Sequence, residues 1–297
     1  MDTTTNSRLG RSFSYLRPVN SLDLVPGATL VLLVFWGFAD ALATIAIQIC
    51  LLCVIVRPGL LRSPVLWFAL AIVNTIVLID NWVSADNHKY LTVYWIYAVA
   101  IAVNLRDPDL GEKVLRWHAR FFLIFVFCFA AIQKSFSPTY MSGEMFETRL
   151  LLDQRFKAFG HLLGLDKNIA EKSLELAELL KNPLGQFEGD AVRLPATAHS
   201  RLLALAVTWY DVIVQYLIGF LFIPARRLTD RLGHYALIFF VLTTYLPAPV
   251  FGFGWLLTTY GIALSWGRLP NIGITYLFCF VAIFAYQLPW RDWVLQW

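Results

Sequence analysis

"RFFLIFVFCFAAIQKSF", residues 120–136, decides the fold. Between Arg120 and Lys134 the stretch carries no charge, and the apolar run it belongs to is long enough to approach the roughly 20 residues a bilayer-crossing helix needs. Comparable runs recur along the 297-residue chain, which is 58% hydrophobic and only 15% charged. Soluble domains average about 45–50% apolar and about 25% charged residues. The composition therefore predicts an all-α polytopic membrane protein, a bundle of about seven to eight transmembrane helices with additional interfacial amphipathic helices.

Working outward from residues 120–136, candidate spans fall at 65–82, 90–105 and 119–136 before a wetter stretch at 137–199. Further spans follow at 201–223, 234–247, 250–266 and 271–289, with a break imposed by Pro247-Ala248-Pro249. The first run, 26–56, would be about 46 Å long as one helix against roughly 30 Å of hydrocarbon. It is either a tilted helix or two segments divided at Asp40, and the division is the preferred reading. The expected organisation is a polar N-terminal segment (1–25), a first transmembrane half (26–136), interfacial helices and a loop (137–199), a second transmembrane half (200–290) and a tail (291–297). The polar N-terminus shows no signal-peptide pattern, so the first run is expected to stay as an anchor.

Arg57, Arg62, Arg106, Lys113, Arg116, Arg120, Arg226, Arg227, Arg231 and Arg268 fall on one side of this layout. That side is expected to be cytoplasmic, since short cytoplasmic loops are rich in Lys and Arg. The net charge of +4 is explained by this bias and needs no nucleic-acid partner. Cys50 and Cys53 form a CxxC, but inside an apolar helix they read as small packing residues, as do Cys128 and Cys279. In 144–182, Leu152, Phe156, Phe159 and Leu163 repeat at 4-3-4 spacing, and Ile169, Leu176 and Leu180 continue the pattern. Such a stripe suits helices lying in the headgroup boundary or, equally, a small subdomain packed on the membrane face. Residues 183–199 read as loop.

Ionisable groups at membrane depth are rare and mark functional sites by default. Asp40, His88, Lys134 and Asp211 are the four candidates. In this layout Lys134 leaves its span, and His88 opens its own, on the same non-cytoplasmic side. An amine held away from water accepts a proton more readily, which suits a general base. A neighbouring imidazole can donate a hydrogen bond to developing negative charge or relay a proton. Asn87 would orient the ring or the substrate. Asp211 lies about 15 Å inside its span and needs a partner, either a cation such as Lys134 or His88, or a hydroxyl such as Tyr210 or Thr208. Snorkelling of Lys134 to the headgroups is the competing reading. No metal-ligand set is expected.

Two segments, "DNHKYL" (86–91) and "FFLIFVFCFAAIQKSFSPTYMSGEMF" (121–146), resemble the HTTM family, the membrane domain shared by vitamin K-dependent γ-glutamyl carboxylase and bacterial relatives that include sporulation-delaying toxin maturation proteins. Asn87, His88, Tyr90 and Leu91 match its first motif, and Ala131, Lys134, Tyr140 and Gly143 its second. The resemblance implies that Lys134 deprotonates a reduced quinone and that His88 assists; Asn87, Asp211 and Tyr90 are the expected supporting residues. It departs from the family at Gln133, where a second lysine is usual, and near Thr244, where a histidine is usual. The carboxylase's large luminal region is also expected to be missing, because the chain ends at Trp297. The expected function is thus an enzyme of the bacterial cytoplasmic membrane, acting from a cavity on the non-cytoplasmic face on a quinone, lipid or peptide. The alternative is a non-catalytic membrane partner in the maturation or export of a secreted peptide, with a soluble protein as a further partner. A transporter ranks last, since no internal repeat is visible.

Overall fold

The computed structural model describes residues 20–37, 40–153, 156–181, 196–245 and 251–286, and the described residues are helical without strands. Two compact units emerge: residues 1–119 with 262–274, and residues 120–261 with 275–297.

In the first unit, helix α1 (Ser21–Trp36) starts at Asn20, whose side chain accepts from the Leu22 amide at 2.9 Å. Helix α2 (Ala41–Val56) starts at Asp40, whose carboxylate accepts from the amides of Leu42 and Ala43 at 2.8 and 3.2 Å. Run 26–56 is therefore two helices, and Asp40 satisfies the exposed amides of a helix start, as N-cap acids do. A short 3-10 turn (Pro58–Arg62) leads to α3 (Pro64–Asp80), and α4 (Asn87–Asn104) packs beside α3. Arg62 grips Asp23 of α1 through two hydrogen bonds of 2.6 and 2.7 Å. Within the core, the Trp95 indole donates to Thr29 at 3.0 Å, and Thr29 in turn donates to the Val25 carbonyl, so these two buried donors are satisfied.

Helix α5 (Pro108–Ser135) contains the run quoted at the outset. After it come α6 (Pro138–Met141), α7 (Glu144–Leu152), α8 (Lys157–Leu162) and α9 (Lys167–Lys181). The chain continues as α10 (Ala198–Phe222), α11 (Arg227–Tyr245), α12 (Phe251–Ser265) and α13 (Pro270–Tyr286). A capping box of Thr197 and Ser200 starts α10 at Ala198, three residues before the 201 expected. The Pro247–Pro249 break and most of the 183–199 loop lie outside the described residues.

Among the described helices, α5 and α10 are long and apolar enough to cross a membrane. Helices α1, α2 and α3 are apolar but have 16, 16 and 17 residues, about 24–26 Å of helix. The expected seven to eight spans are thus matched in length and composition at two helices. Elsewhere helix ends shorten the apolar runs: Asp40 divides the first, and α3 stops at Asp80, with Asn81 as its C-cap, two residues before the 82 expected. Helix α4 has the length, but its His, Lys, Asn and Tyr residues dilute its apolar character.

Outer helix faces carry large apolar side chains. On α5 these are Phe121, Phe125, Phe129 and Ile132, and on α10 Trp209, Ile213, Leu217 and Phe220, all exposed. The inward faces are apolar as well, with Leu123, Phe127 and Ala131 buried on α5. A helix apolar on every side has no face suited to water.

Candidate functional site

The site in the second unit grows from two buried stripes. On α10, Ala204, Thr208, Asp211, Gln215, Ile218 and Phe222 follow one another at three- and four-residue steps and are buried. Asp211 and Gln215 therefore stand one above the other on the inward face. On α5 the same stepping through Phe127 and Ala131 brings Lys134, in the last turn, to the inward side. The helices approach closely: a Cβ at Gly219 would stand 2.5 Å from the Cys128 sulfur and 3.3 Å from the Cys128 backbone nitrogen. Only glycine admits that separation.

Lys134 Nζ donates to Asp211 Oδ2 at 2.6 Å, and Asp211 is 8% exposed. After α5 the chain turns at Ser137-Pro138 into α6, which delivers Tyr140; its hydroxyl donates to the same carboxylate oxygen. Gln215 Nε2 donates to the other oxygen at 2.9 Å. One carboxylate thus holds an ammonium, a phenol and an amide, the arrangement a buried anion requires. Lys134 also lies 5.2 Å from the centre of the Tyr140 ring. Burial, then the Asp211 charge, then the hydrogen bond push the Tyr140 phenol well above its usual range, so it remains a donor.

These four side chains line one end of a cavity of about 330 Å³. The remaining wall is largely apolar and aromatic, with Phe127, Phe146, Phe159 and Phe240 among its members. Its volume lies at the small end of the roughly 300–1,000 Å³ typical of ligand pockets, and a few converging polar groups in an apolar wall are their usual chemistry. Tyr210 and Thr243 add a hydrogen-bonded hydroxyl pair to the lining. Thr244, near which the HTTM resemblance leads one to expect histidine, lines it too.

Of the expected site residues, the structure brings Lys134 and Asp211 together. The hydroxyl alternatives for Asp211 are engaged elsewhere: Thr208 donates to the Ala204 carbonyl and Tyr210 pairs with Thr243. His88, Asn87 and Tyr90 belong to the first unit, in the opening turn of α4. There His88 lies 3.4 Å from Asp86 and packs its ring 4.4 Å from that of Trp36. Tyr90 donates to the Trp82 carbonyl at 2.6 Å, and Asn87 is exposed. Phe156 and Phe159, expected on the apolar face of interfacial helices or of a small packed subdomain, line the cavity. The helix breaks after Leu152 and restarts at Lys157, so their 4-3-4 spacing does not follow one helix.

Gln215 escaped the sequence reading, although its four-residue offset from Asp211 was a usable signal. Tyr140 entered only through the HTTM motif. A second polar contact in this unit joins α5 to α11: Arg120 donates to both oxygens of Asp230, at 2.8 and 2.9 Å, and to the Phe222 carbonyl at the end of α10. Among the described residues no group of three or more His, Cys, Asp or Glu side chains is placed to hold a metal, and the four cysteines are free thiols. No family model, curated protein or solved structure matches this chain.

Proposed function

We propose that this chain is an integral membrane enzyme whose second unit admits a small ring-bearing compound of the reduced-quinone class, from which Lys134 removes a proton. One observation carries the reading: a buried lysine–aspartate pair, braced by Tyr140 and Gln215, forms the polar end of an otherwise apolar, aromatic cavity. The HTTM resemblance of 86–91 and 121–146 supports it, as do the two long apolar helices and their apolar outer faces. In this reading the shorter apolar helices complete the membrane bundle, the arginine-rich loops face the cytoplasm of a bacterial cell, and the cavity opens to the opposite side.

The proton bookkeeping uses groups in contact. One proton shift along the 2.6 Å bond turns the ammonium and carboxylate into a neutral amine and a neutral acid. Lys134 then takes the proton from a substrate O–H, that bond's electron pair stays on oxygen, and the restored ammonium stands beside the new anion. Tyr140 remains a donor throughout and keeps the carboxyl group in place. His88 has no step in this scheme.

Deprotonation speeds the reaction of a hydroquinone with oxygen, which makes the step measurable. Purified protein in lipid nanodiscs is expected to accelerate oxygen uptake by a naphthohydroquinone. Lys134→Ala and Lys134→Arg should each lose about 10²-fold or more of that acceleration, the lower end of what general bases contribute. Folded variants that retain the full rate would end the proposal.

A further inference from the structure

Between residues 198 and 286 the sequence has two acids, Asp211 and Asp230, and each is paired, with Lys134 and Arg120 respectively. Three arginines at the start of α11, Arg226, Arg227 and Arg231, are left over. All three are exposed, and among the described residues none forms an ion pair or hydrogen bond with their guanidinium groups. The turn that carries them is held firmly. Arg120 donates to the Phe222 carbonyl on one side of it and to both Asp230 oxygens on the other. The same helix then becomes apolar on the same outer side. Arg227 and Arg231 stand one turn apart, and Leu228, Leu232, Tyr235 and Phe239 follow on the adjoining strip, 47–69% exposed. Asp230, His234, Leu237 and Val241 form the opposite, buried face. From Leu228 to Phe239 the strip runs about 16 Å. That is about half of the roughly 30 Å of hydrocarbon in a bilayer, the depth of one leaflet.

We infer that the start of α11 is a binding site for an anionic phospholipid, whose phosphate is held by Arg226, Arg227 and Arg231 and whose acyl chain lies along Leu228, Leu232, Tyr235 and Phe239. Guanidinium groups match phosphate oxygens in pairs, and here no carboxylate among the described residues competes for them. A lipid without net charge leaves the arginines uncompensated. A soluble phosphate leaves the apolar strip bare. Only a molecule with an anionic head and an apolar tail meets both parts of this surface. The inference rests on the membrane part of the proposed function, with these arginines at the cytoplasmic leaflet, where anionic lipids supply a negative surface. It makes no use of the Lys134 cavity.

Dioleoyl phosphatidylglycerol and dioleoyl phosphatidylcholine share their chains and differ in net charge. Each is titrated into the full-length protein in neutral detergent, and bound lipid is counted by native mass spectrometry. Phosphatidylglycerol is expected to bind about 100-fold more tightly, about fivefold for each arginine. Arg227→Gln/Arg231→Gln should cut that preference to about fivefold. Its phosphatidylcholine binding should stay as in the wild type, which reports that α11 is intact. Arg57→Gln/Lys113→Gln removes the same charge elsewhere and should keep the full preference. Glycerol 3-phosphate, a phosphate without chains, should not displace phosphatidylglycerol; displacement would show a site for soluble phosphate and overturn the inference. Equal binding of the two phospholipids, or equal losses in the two double variants, would show diffuse attraction and overturn it while leaving the membrane reading in place. Binding of neither phospholipid overturns the inference together with the membrane reading beneath it.

Discussion

Asp211 is the residue on which the second unit's polar chemistry converges. Its partners differ in what their loss does. Lys134 removed alone leaves a buried anion with two neutral donors; Asp211 removed alone leaves a cation in an aromatic cavity. Breaking a buried pair typically costs about 3–5 kcal/mol, whereas replacing both members with apolar residues is often neutral. Lys134 keeps 27% of its side-chain surface exposed, which places the expected cost of Lys134→Met at about 2–3 kcal/mol. Thermal unfolding in detergent should show a marked loss for Lys134→Met and recovery of most of it in the Lys134→Met/Asp211→Leu double variant. A double variant no better than the single one would mean that Lys134 and Asp211 are not energetically coupled. At this scale the sequence was half legible. An acid and an amine inside apolar runs announce themselves by their solvation cost. The topology narrowed the partner of Asp211 to Lys134, His88 or a nearby hydroxyl, but the choice among them was not readable, because Asp211 and Lys134 are 77 positions apart and only packing decides who meets whom.

Among the elements, the crossing of α5 and α10 matters most, because it holds the two halves of the ion pair in register. Gly219 and Cys128 meet at this crossing. Gly219→Ala places a methyl group 2.5 Å from the Cys128 sulfur, and overpacking of this kind costs about 1–3 kcal/mol. Cys128→Ala removes the sulfur and should relieve most of that cost. Melting curves of the two single variants and the pair test this, and the pair melting no higher than Gly219→Ala would show that the helices do not meet as described. Apolar length alone did not foretell element boundaries. Run 26–56 divides because Asp40 caps α2, which the acid in its middle did suggest. The 4-3-4 spacing of the 152–163 repeat spans the break between α7 and α8, and two of its phenylalanines line the cavity.

The molecule as a whole exposes rows of large apolar side chains, including Ile45, Ile49, Leu52 and Ile55 on α2 as well as the outer faces of α5 and α10. Monomeric soluble proteins rarely leave contiguous apolar patches of more than a few hundred Å² in water. The proposed function makes lipid the partner of these faces. The protein should therefore stay with the membrane pellet through an alkaline carbonate wash and require detergent for release. Recovery in the carbonate supernatant would contradict a membrane-embedded fold.

What the sequence by itself determined is the class and the cost: helices, from apolar runs too long for strands, and a few ionisable groups whose burial demands compensation. These are local properties, readable from composition and periodicity because each residue's hydration and each helix's backbone bonding depend on near neighbours. Tertiary structure alone decided that Lys134 meets Asp211, that Tyr140 and Gln215 complete the coordination, and that Phe156 and Phe159 turn toward the cavity. Those outcomes depend on which helix faces pack together, and packing is settled by contacts between residues far apart in the chain.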